Sequence, residues 1–203
     1  MASLVFSNDE LNFITDKTFF KKKDDVNSKV INQLNKLHQK LIILLKDNNE
    51  SVPESVLKSS PKISRGENYQ GFPWLVLDYP RIFNTAGVFA FRTLFWWGHS
   101  WVLTFQLSGN LFQNFRSTIL SNLNSINVVS CKIGIGNDPW IHNPHDSMYI
   151  QLKKFIASKN NSEEKIKSQP FFKLIREVEF SQSENLTEEA IAFYSSCLRL
   201  LKT

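Results

Sequence analysis

Three of the chain's four histidines lie beside aromatic segments, and these side chains have chemistry to offer. His142, His145 and Asp146 stand in the run Trp140-Ile141-His142-Asn143-Pro144-His145-Asp146. Two imidazoles three residues apart with an adjacent carboxylate are donor types that hold Zn²⁺ or another divalent cation. Pro144 lies between them and prevents a regular helix, so spacing alone does not bring both rings to one side. The expectation is therefore no metal and no cofactor, with His142, His145 and Asp146 as the alternative ligand set.

Arg92 is the second candidate. It falls among Ala90, Leu94, Trp96 and Phe105, where an unpartnered guanidinium would cost several kcal/mol. Asp78, at the end of the preceding strand, is the expected partner, ahead of Asp138 and Asp146. Either the two form a structural ion pair, or the planar fork of Arg92 floors a pocket for a carboxylate or phosphate. A pocket would draw on Asp78, Arg81, Arg92, His99, His142, His145 and Asp146. The indoles Trp96, Trp97, Trp101 and Trp140 could stack on a planar ligand, but cross-strand aromatic pairs also stabilise sheets. No phosphate-binding, metalloprotease or nucleophile-elbow motif occurs, and Gly134-Ile135-Gly136 is followed by Asp138-Pro139 where a helix start is needed. These residues leave both an enzyme and a non-enzyme open.

The elements that must position these groups can be outlined from periodicity. Ser7 and Glu10 form a capping-box pattern that opens a short helix running towards Phe19. A longer helix is expected over about 25–46, with Val30, Leu34, Leu37, Leu41 and Leu44 in one stripe. Residues 48–71 read as a long loop. Strands are expected over 72–78, 88–97, 100–107, 128–135, 172–180 and, less clearly, 148–156, with a helix over 111–123 and a surface turn at 160–164. A last helix should start at Thr187 and bury Ala190, Ile191, Tyr194, Cys197, Leu198 and Leu201. Gly98-His99 fits a two-residue type II′ turn, which would set Trp96 against Trp101, Leu94 against Leu103 and Arg92 against Phe105. One face of that hairpin would hold Trp96, Trp101, Leu94, Leu103, Phe105 and Arg92. The other would carry Phe89, Phe91, Thr93, Phe95, Trp97, Val102, Thr104 and Gln106. With no βαβ alternation, the class is α+β: a mainly antiparallel sheet of about four to six strands flanked by N-terminal and C-terminal helices, in one domain over 1–203.

Composition narrows the partners. The chain has 203 residues and a net charge of +5, with 42% hydrophobic residues, enough to bury a core. Lysines are mixed with acids at both ends, and Lys21-Lys22-Lys23 is followed at once by Asp24-Asp25, which argues against nucleic acid. The most apolar window, 86–107, is broken by Arg92, Gly98 and His99, so no membrane span is expected. Two widely spaced cysteines and no secretory leader suggest a cytoplasmic protein. The face with Phe89, Phe91, Phe95 and Trp97 suits a cavity lining, a covering helix or a subunit interface, and a homodimer through it is the leading expectation. A small anionic ligand near Arg92, Asp78 and His142 is the alternative.

Asn68-Tyr69-Gln70-Gly71-Phe72-Pro73-Trp74, Leu77-Asp78-Tyr79-Pro80-Arg81 and Phe91-Arg92-Thr93-Leu94-Phe95-Trp96-Trp97-Gly98 resemble motifs of an uncharacterised bacterial family of the Bacteroidetes type. The resemblance spans roughly 67–145, including Asp138-Pro139-Trp140 and His142. It implies no activity and transfers no catalytic residue.

Overall fold

A computed structural model describes residues 4–126 and 130–202, with the backbone alone at 159–161. Seven helices surround a seven-stranded antiparallel sheet among the described residues. In chain order these are α1 (Asn8–Thr15), α2 (Lys17–Lys46), α3 (Glu54–Leu57), β1 (Lys62–Tyr69), β2 (Phe72–Asn84), β3 (Gly87–Trp96), β4 (Trp101–Ser108), α4 (Gly109–Asn122), β5 (Cys131–Gly134), β6 (Tyr149–Gln151), α5 (Leu152–Ala157), α6 (Lys159–Ser168), β7 (Phe171–Val178) and α7 (Leu186–Arg199). The strand order is β1-β2-β3-β4-β7-β5-β6. The class is α+β, as expected, but the sheet is larger than four to six strands.

The additional strand is β1, inside the segment read as a loop. Its residues, Lys-Ile-Ser-Arg-Gly-Glu-Asn-Tyr, are mostly exposed or half-buried because it forms one edge of the sheet, so no apolar alternation announces it. Gln70 and Gly71 join β1 to β2 with φ of 51° and 87°, the positive pair that a tight type I′ hairpin turn requires. β2 continues past Asp78 to Asn84 through a bulge between Asp78 and Arg81. Pro80 is tolerated there because β1 has already ended opposite Asp78.

The β3–β4 turn differs from the expected one by a residue. The Trp96 N–H donates to Ser100 O and the His99 N–H to Trp96 O, leaving Trp97, Gly98 and His99 in the loop with Gly98 at φ 73°. Phe95 therefore faces Trp101, Thr93 faces Leu103 and Arg92 faces Thr104. One residue of slip exchanges the faces of all of β4. Phe89, Phe91, Thr93 and Phe95 share a face with Trp101, Leu103, Phe105 and Leu107, and this face is the core. It is covered by α2, whose buried stripe is Val30, Leu34, Leu37, Leu41 and Leu45, and by α7. Tyr194 of α7 stacks on Phe91 with ring centroids 4.3 Å apart. Of the three uses expected for this face, the covering helix is the one observed, so it is buried within the chain and is not the homodimer surface.

Four smaller boundaries also move. α1 stops at Thr15 and α2 starts at Lys17, because the Asp16 carboxylate caps the N–H groups of Thr18 and Phe19. The 160–164 turn lies inside α6, and 148–156 splits into the short edge strand β6 followed by α5. Asn185, not Thr187, precedes α7, and the Thr187 hydroxyl accepts from Gln33 of α2 instead. Of the expected 128–135 strand, Val128 and Val129 lie outside the described residues.

The opposite sheet face carries a smaller apolar cluster: Val76, Leu94, Trp96, Val102, Phe171 and Ile175, with Met148 and Tyr149. It is roofed by the irregular 135–148 segment, from which Ile141 packs against it. No helix among the described residues is long and apolar enough to cross a membrane.

Candidate functional site: a buried polar row beneath the 135–148 segment

Register brings five polar side chains together on the roofed face. Asp78 of β2 pairs with Arg92 of β3, and Arg92 with Thr104 of β4. Two residues along, Ala90 pairs with Gln106 and Gln106 with Lys173 of β7. Alternation places Asp78, Arg92, Thr104, Gln106 and Lys173 on one side of four adjacent strands. All are buried except Arg92, which keeps 20% of its side chain exposed.

Arg92 grips Asp78 through both carboxylate oxygens, Nε to Oδ1 at 2.7 Å and Nη2 to Oδ2 at 3.0 Å. Its Nη1 meets His142 Nε2 at 2.7 Å. On the other side of the same ring, His142 Nδ1 lies 3.3 Å from Lys173 Nζ. Lys173 Nζ also donates to Pro139 O at 2.7 Å and Ile141 O at 2.6 Å. The imidazole of the roof thus spans from β3 to β7, over the strand that carries Thr104 and Gln106.

The hydrogens can be counted. A guanidinium has only donors, so His142 Nε2 must accept. A neutral imidazole then carries its proton on Nδ1, which points at Lys173. Lys173 must accept in turn, and only a neutral amine has a lone pair to do so. Its two remaining N–H bonds match the two carbonyls. The network closes with one ion pair, a neutral histidine and a neutral lysine. Electrostatics agree in direction: burial, then the neighbouring Lys173 and Arg92, holds the His142 pKa well below its ordinary value. Burial, then Arg92, does the same to Lys173, against an opposing pull from Asp138.

Two tyrosines tie the roof down. Tyr69 of β1 accepts from the His142 backbone N–H at 2.7 Å, and Tyr149 of β6 donates to Ile141 O at 2.5 Å. Burial drives both phenol pKa values up, so both stay protonated. Thr104 Oγ1 and Gln106 Nε2 have no hydrogen-bond partner among the described residues, in a place where each orphaned polar atom costs about 1–3 kcal/mol.

A cavity of about 230 Å³ opens onto this row. Tyr69, Trp74, Val76 and Leu94 form its walls, Asn68 lies on its exposed side, and Arg92 and His142 supply the polar surface. Arg92 has five N–H bonds, of which three are assigned above, leaving one on each terminal nitrogen. A larger groove of about 580 Å³ lies elsewhere, between Ile135, Ile150 and Phe155. Its charged side chains are Glu164 and Lys165 alone, whereas the smaller cavity adjoins the ionised and hydrogen-bonded groups.

Of the seven residues singled out from sequence, Asp78, Arg92 and His142 meet here and four do not. Arg81 Nε donates to Ser60 O, and its backbone N–H to Ser59 Oγ. The His99 ring stacks on Trp96, centroids 3.5 Å apart. His145 pairs with Glu177 at 3.0 Å. Asp146 accepts from the Met148 N–H. His142 and His145 therefore serve different partners, and among the described residues no group of three or more His, Cys, Asp or Glu side chains is placed to hold a metal ion. Lys173, Tyr69, Thr104 and Gln106 were missed. The one-residue slip hid the last two by placing them opposite Arg92 rather than beside it. Comparison of the chain with family models, with curated proteins and with solved structures finds no match.

Proposed function

We propose that this protein binds a small organic anion, a carboxylate on a flat apolar body, in the Tyr69–Trp74–Arg92 cavity. The observation that carries the proposal is Arg92 itself, held by Asp78 and His142 and lining the cavity, with one N–H unassigned on each terminal nitrogen. Two donors carried on one planar fork suit a carboxylate. The walls suit an aromatic or branched hydrocarbon body, and about 230 Å³ lies below the roughly 300–1,000 Å³ of drug-sized sites, pointing to a compact ligand. A row of buried polar groups where apolar ones would be cheaper further supports a role beyond stability.

Binding, rather than catalysis, is proposed because His142, the lining side chain suited to proton transfer, has both ring nitrogens engaged. A reducing, cytoplasmic setting is proposed with it, since Cys131 and Cys197 are buried free thiols.

The test is a thermal-shift series with benzoate and other small carboxylates, followed by calorimetry. At 100 times its dissociation constant a ligand adds about 2.7 kcal/mol, a shift of about 5–10 °C for a chain of this size. Asn68 is exposed on the cavity's rim, so Asn68→Trp should block entry and abolish the shift, whereas Asn68→Ala, which loses the same Gly71 N–H contact without filling the mouth, should keep it. No shift with any small carboxylate at millimolar concentration would refute the proposal.

A further inference from the structure

The N-terminal arm breaks the usual rule for apolar side chains. Every residue from 4 to 22 is exposed, yet the stretch contains Leu4, Val5, Phe6, Leu11, Phe13, Ile14, Phe19 and Phe20. Leu4 is 83%, Val5 77% and Phe13 58% exposed. Ring contacts bend α1 onto the first turn of α2, with Phe13–Phe19 centroids at 5.0 Å and Phe19–Phe20 at 5.3 Å. The first tie to the sheet is Lys23, which pairs with Glu67 of β1 at 2.7 Å, and the first buried residue of α2 is Val30. The arm is well formed, with a complete capping box at Ser7 and Glu10 and a double cap at Asp16. An ordered apolar surface of this kind marks a contact site.

We infer that this arm is a two-fold dimerisation surface whose occupant is the same arm of a second copy of the chain. The charge pattern selects that partner. Asp9 and Glu10 sit in the first turn of α1, with no basic residue in its last turn, while Lys17, Lys21 and Lys22 stand at the start of α2, ahead of Asp24 and Asp25. The aromatic corner lies between the two ends. A two-fold contact places a patch on its own copy in reverse, so the acidic end of one arm meets the basic end of the other on both sides. A lipid surface fits less well: residues 4–25 carry four lysines against five carboxylates, without the basic excess that draws a helix to anionic membranes. The arm's length also suits a dimer, since standard interfaces involve about 20–30 residues a side.

The decisive experiment is sedimentation velocity on the full chain from about 1 to 100 µM. The wild type is expected to dimerise within that range, and Phe13→Glu/Phe20→Glu to be monomeric with unchanged circular dichroism and melting temperature. Lys21→Glu/Lys22→Glu and Asp9→Lys/Glu10→Gln should each be monomeric alone; glutamine at position 10 keeps the capping box. Mixed in equal amounts they should recover the dimer, because each arm then meets an opposite charge. A wild type monomeric at about 100 µM overturns the inference, as does a dimer that survives the Phe13/Phe20 substitutions. A charge-swapped pair that fails to recover, or wild type that sediments with phosphatidylglycerol vesicles while remaining monomeric, also overturns it.

Discussion

The neutral state assigned to Lys173 has a measurable consequence for stability. In the unfolded chain this amine carries its extra proton throughout pH 7.5–8.5; in the folded chain the hydrogen count at His142 leaves it neutral, the direction in which burial also pushes it. The unfolded state then binds one more proton than the native state, and stability rises with pH by about 1.4 kcal/mol per unit. The sign follows from a folded pKa lowered below the unfolded one: stability is gained as pH rises and lost as it falls. Between pH 7.5 and 8.5 the wild type should gain about 1.4 kcal/mol more than Lys173→Met, which cannot titrate. Measuring the difference removes the cysteines, whose folded pKa values burial raises and whose effect runs the opposite way. The assay is urea unfolding at the two pH values, with constant m checked in each case. Lys173→Met also strips a partner from Pro139 O, Ile141 O and His142 Nδ1, so its absolute stability falls. Should that variant be too unstable, Lys173→Gln supplies a non-titrating amide. Equal pH slopes in wild type and variant would show that Lys173 is charged in the fold, and the hydrogen count at His142 would be wrong.

Three further outcomes are expected. Asp78→Ala should cost about 3 kcal/mol in urea unfolding, at the low end for a broken buried pair because Arg92 keeps a path to water, and adding Arg92→Met should recover part of it; a single-variant cost under about 1 kcal/mol would contradict the ion pair's burial. Gly98→Ala should lose about 1–2 kcal/mol from its φ of 73°, plus the displacement of Phe72, whose ring carbon lies 2.9 Å from the new Cβ. Gly71→Ala, with φ 87° and open space around it, isolates the backbone share of that cost; equal melting temperatures in the two variants would rule out the Phe72 contact. With His142 and Lys173 neutral in the fold and Arg92 the cation that meets the ligand, carboxylate affinity measured by calorimetry should stay flat from pH 7.5 to pH 8.5; an affinity that falls across that range would show that one of the two is protonated when the ligand binds.

Much of the architecture was legible because it rests on periodicity. The α2 stripe was read with one shift, Leu45 replacing Leu44 as the last buried residue, and β3, β4, α4, β7 and α7 fell close to their expected places. The failures have physical causes. β1 is an edge strand whose side chains face water on much of its length, so burial leaves no trace in its composition. At the β3–β4 turn, Gly98 has the positive φ expected of a glycine, but Trp97 belongs to the loop rather than to the strand. Trp97 reads as a strand residue by composition, and nothing local reveals that one indole lies beyond the last rung. That one rung decided which residues accompany Arg92. Asp78 and Arg92 were found because a buried guanidinium demands a carboxylate. Lys173 was not, since an alternating strand with a lysine in it normally turns that lysine outward.

Because residues 4–22 are all exposed, and among the described residues the first tie to the sheet comes at Lys23, the arm and the folded body should obey separate equilibria. In an obligate dimer the interface is part of the core, and melting temperature climbs with concentration. Here the body's cohesion comes from residues 30 onward, so dilution should dissociate copies without loosening any of them. If the arm pairs two copies as inferred above, changes to it should alter assembly and leave the cavity at Arg92 unchanged. The surface that sets assembly is therefore free to diverge, or to be trimmed, without passing through an unfolded intermediate.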